Sequence, residues 1–170
     1  MRKIYNGVGI MSEWTARLGI WLIVALIISI CYDVFMRYFF NAPTTWSYIF
    51  SYMLGASLSA LGLGYVHKHG GNVRVDILNT RFSPKVRTII DIIFAVIFFF
   101  PLYGYLTYLF GVYTLEAFLM NRKAVESAWY PVVWPYVTAV TFGFFVLVLQ
   151  GAVIFLKDII SLSRSGKEPW

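Results

Sequence analysis

Residues 18–40 read LGIWLIVALIISICYDVFMRYFF, and residues 41–46 continue NAPTTW. No charge occurs between Leu18 and Tyr32, and the apolar residues come in a block rather than in the alternation of a half-buried strand. A bilayer core about 30 Å thick needs about 20 apolar residues at 1.5 Å rise each, so this stretch, carried through Asp33 and Arg37, reads as one crossing. Asn41, Pro43 and Thr44 then supply a turn and the start of a second helix.

Working outward, three more stretches lack Asp, Glu, Lys and Arg: Tyr38 to His67, Ile92 to Leu115, and Ser127 to Leu156. The reading is an all-α membrane protein, a single membrane domain over 1–170 with spans at about 16–38, 44–66, 88–115 and 130–156. Composition agrees: 59% of the 170 residues are hydrophobic and 13% charged, against about 45–50% and about 25% in soluble domains. The first span does not read as a cleavable signal, because it runs into Asp33 and Arg37 without a small-x-small site.

Eleven of the 14 lysines and arginines fall on one side of these spans: Arg2, Lys3 and Arg17, then Lys68, Arg74, Arg81, Lys85 and Arg87, and finally Lys157, Arg164 and Lys167. Only Arg37, Arg122 and Lys123 fall on the other. Basic residues in short flanking segments resist translocation, so both termini are expected in the cytoplasm. Arg74, Arg81, Lys85 and Arg87 are expected at lipid headgroups. Bases spread among spans suit this role better than nucleic-acid binding.

Between the second and third spans, a break at Gly70-Gly71 precedes Val73, Ile77, Leu78 and Phe82 at helical spacing. This predicts a short cytoplasmic amphipathic surface helix at about 72–82. Ser83-Pro84 supplies an N-cap residue and a first-turn proline for the third span.

Chemistry within the spans is sparse. Asp33 and Arg37 stand four apart in acid-before-base order, which predicts a structural ion pair near an interface. Asp91 and Glu116 sit near helix ends. His67 and His69 stand two apart and point to different sides, so they do not build a haem site. Cys31 is the single cysteine and makes no disulfide, redox pair or zinc cluster. No phosphate loop or nucleophile elbow occurs, so no cofactor and no catalytic, substrate-binding or metal-ligating residue is expected. Gly55, Ala56, Ser59 and Gly62, with Ala60 and Gly64, place small residues three and four apart on the second span, a face another helix can approach closely. That face serves either a partner or the chain's own bundle. The tryptophans suit interface anchoring.

The run from Tyr32 to Trp46, with Asp33, Arg37, Asn41-Ala42-Pro43 and Trp46, resembles the signature between the first two helices of the small membrane subunit (DctQ-type) of TRAP transporters, the tripartite ATP-independent periplasmic systems. Gly64-Tyr65-Val66, Gly70-Gly71 and Val73-Arg74-Val75-Asp76-Ile77 are similar to its cytoplasmic segment. Ser83-Pro84 with Arg87 and Asp91 resembles its third-helix start, and Trp129-x-Pro131, Trp134-Pro135 and Leu149-Gln150-Gly151 its fourth helix. Tyr48 and Ile49 stand where the family often carries an acid, and Asn72 where it often carries a histidine.

The resemblance implies a non-enzymatic subunit of the bacterial or archaeal inner membrane. Its partners would be a large multi-span elevator-type permease subunit, which it scaffolds, and a periplasmic substrate-binding protein, for sodium-driven uptake of an organic acid. Gly55, Ala56, Ser59 and Gly62 would then face the large subunit. Asn41, Pro43, Trp46, Arg122, Lys123 and Glu126 would lie near the docked binding protein. The competing readings are a self-contained four-helix multidrug exporter, disfavoured by the base asymmetry, and a membrane anchor of a redox enzyme, disfavoured by the histidine placement.

Overall fold

A computed structural model of the chain describes residues 2–70, 84–125 and 128–165. Among the described residues five helices, α1 (Arg2–Phe40), α2 (Ser47–Lys68), α3 (Pro84–Phe94), α4 (Phe100–Leu119) and α5 (Trp134–Ser165), carry the fold, with a π-helical turn at Ala95–Phe99 that joins α3 and α4 into one rod. Four helical segments are long and apolar enough to cross a membrane: Gly7–Phe40, Ser47–Lys68, Lys85–Leu119 and Trp134–Leu162. The surface helix expected at about 72–82 lies outside the described residues.

Each helix boundary has a local cause. Asn41 adopts a left-handed conformation (φ 48°), which asparagine tolerates better than most residues, and this ends α1. Thr44 does not start α2. Its backbone N–H donates to Asp33 Oδ1 at 3.0 Å and its hydroxyl donates to the same oxygen, so Thr44 is held in the turn and the helix begins at Ser47. The fourth span begins at Trp134 rather than near residue 130. Before it, Ala124 N–H donates to the Pro131 carbonyl at 2.9 Å and Val133 N–H to the Arg122 carbonyl at 3.0 Å, so the chain is occupied in a small bridged loop.

The π-helical turn has its cause in Pro101, which lacks an N–H and whose ring crowds the carbonyl four residues back. Phe100 N–H bonds the Ala95 carbonyl, five residues back, immediately before it. The wide turn therefore absorbs the proline without breaking the rod.

α2 and α5 form the centre. α1 packs along α2 and also touches α5, while the rod packs chiefly on α5. The interior is small and partly polar: Ile49, Ala60, Leu61, Val137, Val146 and Leu147 are buried, together with Ser12, Thr15, Ser29, Ser47, Ser57 and Gln150. Ser47 donates its hydroxyl to the Ser29 carbonyl at 3.2 Å, and Ser12 donates to Gln150 Oε1 at 3.4 Å. Without a hydrophobic drive between helices in lipid, close backbone approach and such bonds hold a bundle together. Most large apolar side chains of α1 and the rod face outward, Trp21 and Tyr105 among them.

The α1–α2 turn and the loop before α5 lie at one end, here the turn end. The start of α1, the end of α2, the start of α3 and the end of α5 lie at the other, the terminal end.

Candidate partner-binding surfaces

At the turn end, Asp33 is the central group. Its Oδ1 accepts both donors of Thr44, and its Oδ2 accepts from Arg37 Nη2 at 2.7 Å. The carboxylate is largely covered while the guanidinium is exposed. The acid thus ties the end of α1 to the chain entering α2. Asn41 and Pro43 are exposed beside it.

Trp46 links this turn to the loop before α5. Its ring stacks on Tyr32 at 5.8 Å and meets Trp129 edge-on at 6.5 Å, with Phe50 edge-on to both. Such ring pairs hold the two loops in fixed relation. In the second loop, Arg122 donates to Glu116 at 3.1 Å and lies over the Tyr113 ring at 5.6 Å. Arg122 and Lys123 are exposed, Lys123 forming the bridge to Val132. Tyr130 has φ 47°, unusual for a bulky residue. Glu126 lies outside the described residues.

Along α2 the small residues divide between two faces. Ala60 and Gly64 turn inward: Gly143 of α5 lies against the backbone of Ala60, and a methyl group on Gly64 would stand 2.8 Å from Val146 Cγ1. Gly55, Ser59 and Gly62 lie on the other face, with the half-buried Ala56 between the two. A Cβ at Gly55 or Gly62 meets nothing within 4 Å, and Ser59 is exposed.

At the terminal end, Lys85 is exposed and Arg87 half-buried, whereas Arg74 and Arg81 lie outside the described residues. Lys68 is engaged inside the chain: its Nζ donates to Glu13 at 2.7 Å and to the Gly9 carbonyl at 3.2 Å. Sequence reading missed this link. Its signal is that Glu13 and Lys68 lie nearly equal distances either side of Asn41, the pivot of an antiparallel helix pair. The contacts of Thr44 with Asp33 and of Ser12 with Gln150 were missed as well, because neither pairing has a spacing rule.

The histidines separate. His67 stacks on Phe99 at 5.0 Å, while His69 leans on Tyr65 at 4.1 Å. Among the described residues no group of three or more His, Cys, Asp and Glu side chains is placed to hold a metal ion.

The family model for the DctQ component of tripartite ATP-independent periplasmic transporters matches residues 26–160. The chain belongs to the DctQ family. No curated protein and no solved structure matches it. The match spans the Asp33 turn, α2, the rod and most of α5, and leaves Ser12 and Glu13 outside it. With four apolar helices of spanning length, this DctQ component is a multi-pass membrane protein and part of a transporter.

Proposed function

We propose that this DctQ component is the non-enzymatic scaffold of its transporter: it braces a large elevator-type permease subunit and helps dock a periplasmic substrate-binding protein during sodium-driven uptake of an organic acid. The observation that carries the reading is the outward face of α2. A methyl group at Gly55 or Gly62 would meet nothing within 4 Å and Ser59 is exposed, in a chain that already uses Ala60 and Gly64 for its own packing; Ala56 is assigned to the same contact. A helix of the large subunit fits there by close approach.

Orientation follows from the eleven-to-three division of basic residues, which puts the terminal end in the cytoplasm and the turn end in the periplasm. Asn41, Pro43, Trp46, Arg122, Lys123 and Glu126 are assigned to the binding-protein dock on the periplasmic side. Arg74, Arg81, Lys85 and Arg87 are assigned to headgroups of the inner leaflet. Asp33 and Arg37 are assigned a structural part, since their bonds close the α1–α2 turn.

The test is a tagged pull-down from native membranes in mild detergent, with co-purifying chains identified by mass spectrometry. A stoichiometric multi-span partner is expected with the natural sequence, and its loss is expected with Gly55→Leu plus Gly62→Leu. A stable homo-oligomer without such a partner would overturn the scaffold reading.

A further inference from the structure

A cavity of about 350 Å³ opens between α5 and the rod at the terminal end. Its lining changes character along its length. On the rod, Asp91 comes first, followed deeper in by Phe94, Phe98 and Leu102. On α5, which runs in the opposite direction, Phe155 is followed by Asp158. Both walls are therefore acidic at the helix-end side and apolar toward the middle of the bundle. The path from Asp91 to Leu102 is about 16 Å at 1.5 Å per residue, about half the hydrocarbon core.

The inner part of the groove is built, not left over. Phe99 lies directly on Gly151, where a side chain would overlap its ring, and stacks on His67 at 5.0 Å. The π-helical turn at Ala95–Phe99 sets that ring. Phe94, Phe98 and Leu102 are each more than half exposed, so the groove is open along its apolar length.

A small water-soluble solute has no use for the apolar half of such a groove, and the two carboxylates at its other end are acceptors that call for a cationic donor. An amphiphile with a cationic group in its head matches both halves. Arg87, one turn before Asp91, and Lys157, next to Asp158, bring the opposite sign close by, which suits a head that also carries a phosphate. We propose that this groove binds phosphatidylethanolamine, with its primary ammonium at Asp91 and Asp158 and one acyl chain along Phe94, Phe98 and Leu102. A primary ammonium offers three N–H donors. Each carboxylate offers about four acceptor positions, so the lipid's donors add to the interaction Asp158 already makes within the chain. A trimethylated head has no donor to give.

The test uses the full chain in mild detergent, exposed to equal amounts of phosphatidylethanolamine, phosphatidylcholine and phosphatidylglycerol and weighed by native mass spectrometry. Retention of phosphatidylethanolamine is expected at about tenfold over phosphatidylcholine, the ratio one charge-assisted hydrogen bond supports. Asp91→Asn plus Asp158→Asn should bring the two lipids to equal retention. Equal retention by the natural sequence overturns the proposal. So does preference for phosphatidylglycerol, which would place the basic residues in control, or a preference for phosphatidylethanolamine that survives the double substitution. If the double variant does not fold, spin-labelled lipids on the natural sequence decide: a larger immobilised fraction for phosphatidylethanolamine than for phosphatidylcholine is expected, and equal fractions overturn the site.

Discussion

Gly143 of α5 lies so close to the main chain of Ala60 on α2 that a methyl group on it would overlap the Ala60 carbonyl. The neighbouring Leu61 nitrogen would stand 2.9 Å away. These two helices are the centre of the bundle, and their separation is set by a residue without a side chain. Gly143→Ala is expected to destabilise the chain by about 1–3 kcal/mol, the usual cost of overpacking. Thermal unfolding in detergent checks this. Gly55→Ala and Gly62→Ala, which meet open space, should leave the midpoint of the isolated chain close to that of the natural sequence.

The α1–α2 turn is organised by the Asp33 carboxylate. Asp33→Asn removes the charge that two Thr44 donors and Arg37 share, so it should lower the unfolding midpoint more than Arg37→Gln, which removes one exposed donor of the three. Thr44→Val should fall between them, because it loses the hydroxyl and keeps the backbone bond. A midpoint for Asp33→Asn no lower than for Arg37→Gln would refute the assignment of Asp33 as the turn's organiser.

Gln150 is 1% exposed, and the single hydroxyl hydrogen of Ser12 is shared between its Oε1 at 3.4 Å and the Val8 carbonyl at 3.1 Å. Ser12 thus stays satisfied when Gln150 is replaced. A double-mutant cycle with Ser12→Ala and Gln150→Leu is expected to give a coupling of about 0.6 kcal/mol, typical for polar contacts between membrane helices.

Lys68 joins the end of α2 to two groups on α1, the Glu13 carboxylate and the Gly9 carbonyl. Lys68→Met keeps an unbranched side chain one atom shorter and removes both bonds. Hydrogen exchange should then speed up in the first turns of α1, upstream of Glu13, with the α1–α2 turn unchanged. Unaltered exchange there would show that packing alone holds this part of α1.

The four crossings were legible because crossing a bilayer depends on apolar length, which can be read along one dimension. Leu18 to Tyr32, Ile92 to Leu115 and their counterparts state it without reference to any partner. Helix ends were legible only where a residue acts alone, as Pro84 does at the start of α3. At Thr44 and before Trp134 the chain bonds instead with Asp33 and with Arg122, and the helices begin at Ser47 and Trp134, which no local spacing states.

The apolar stretches, the basic residues around them and the ordered motifs from Tyr32 to Gly151 were enough to determine the class, the number of crossings and the family. Tertiary structure alone decided how the small residues of α2 divide, with Ala60 and Gly64 spent on α5 and Val146, and Gly55 and Gly62 left open. A spacing of four occurs on both faces, from Gly55 to Ser59 and from Ala60 to Gly64, so sequence could not separate them. Only the position of a neighbouring helix tells a packed glycine from a free one, and that position is a property of the assembled bundle.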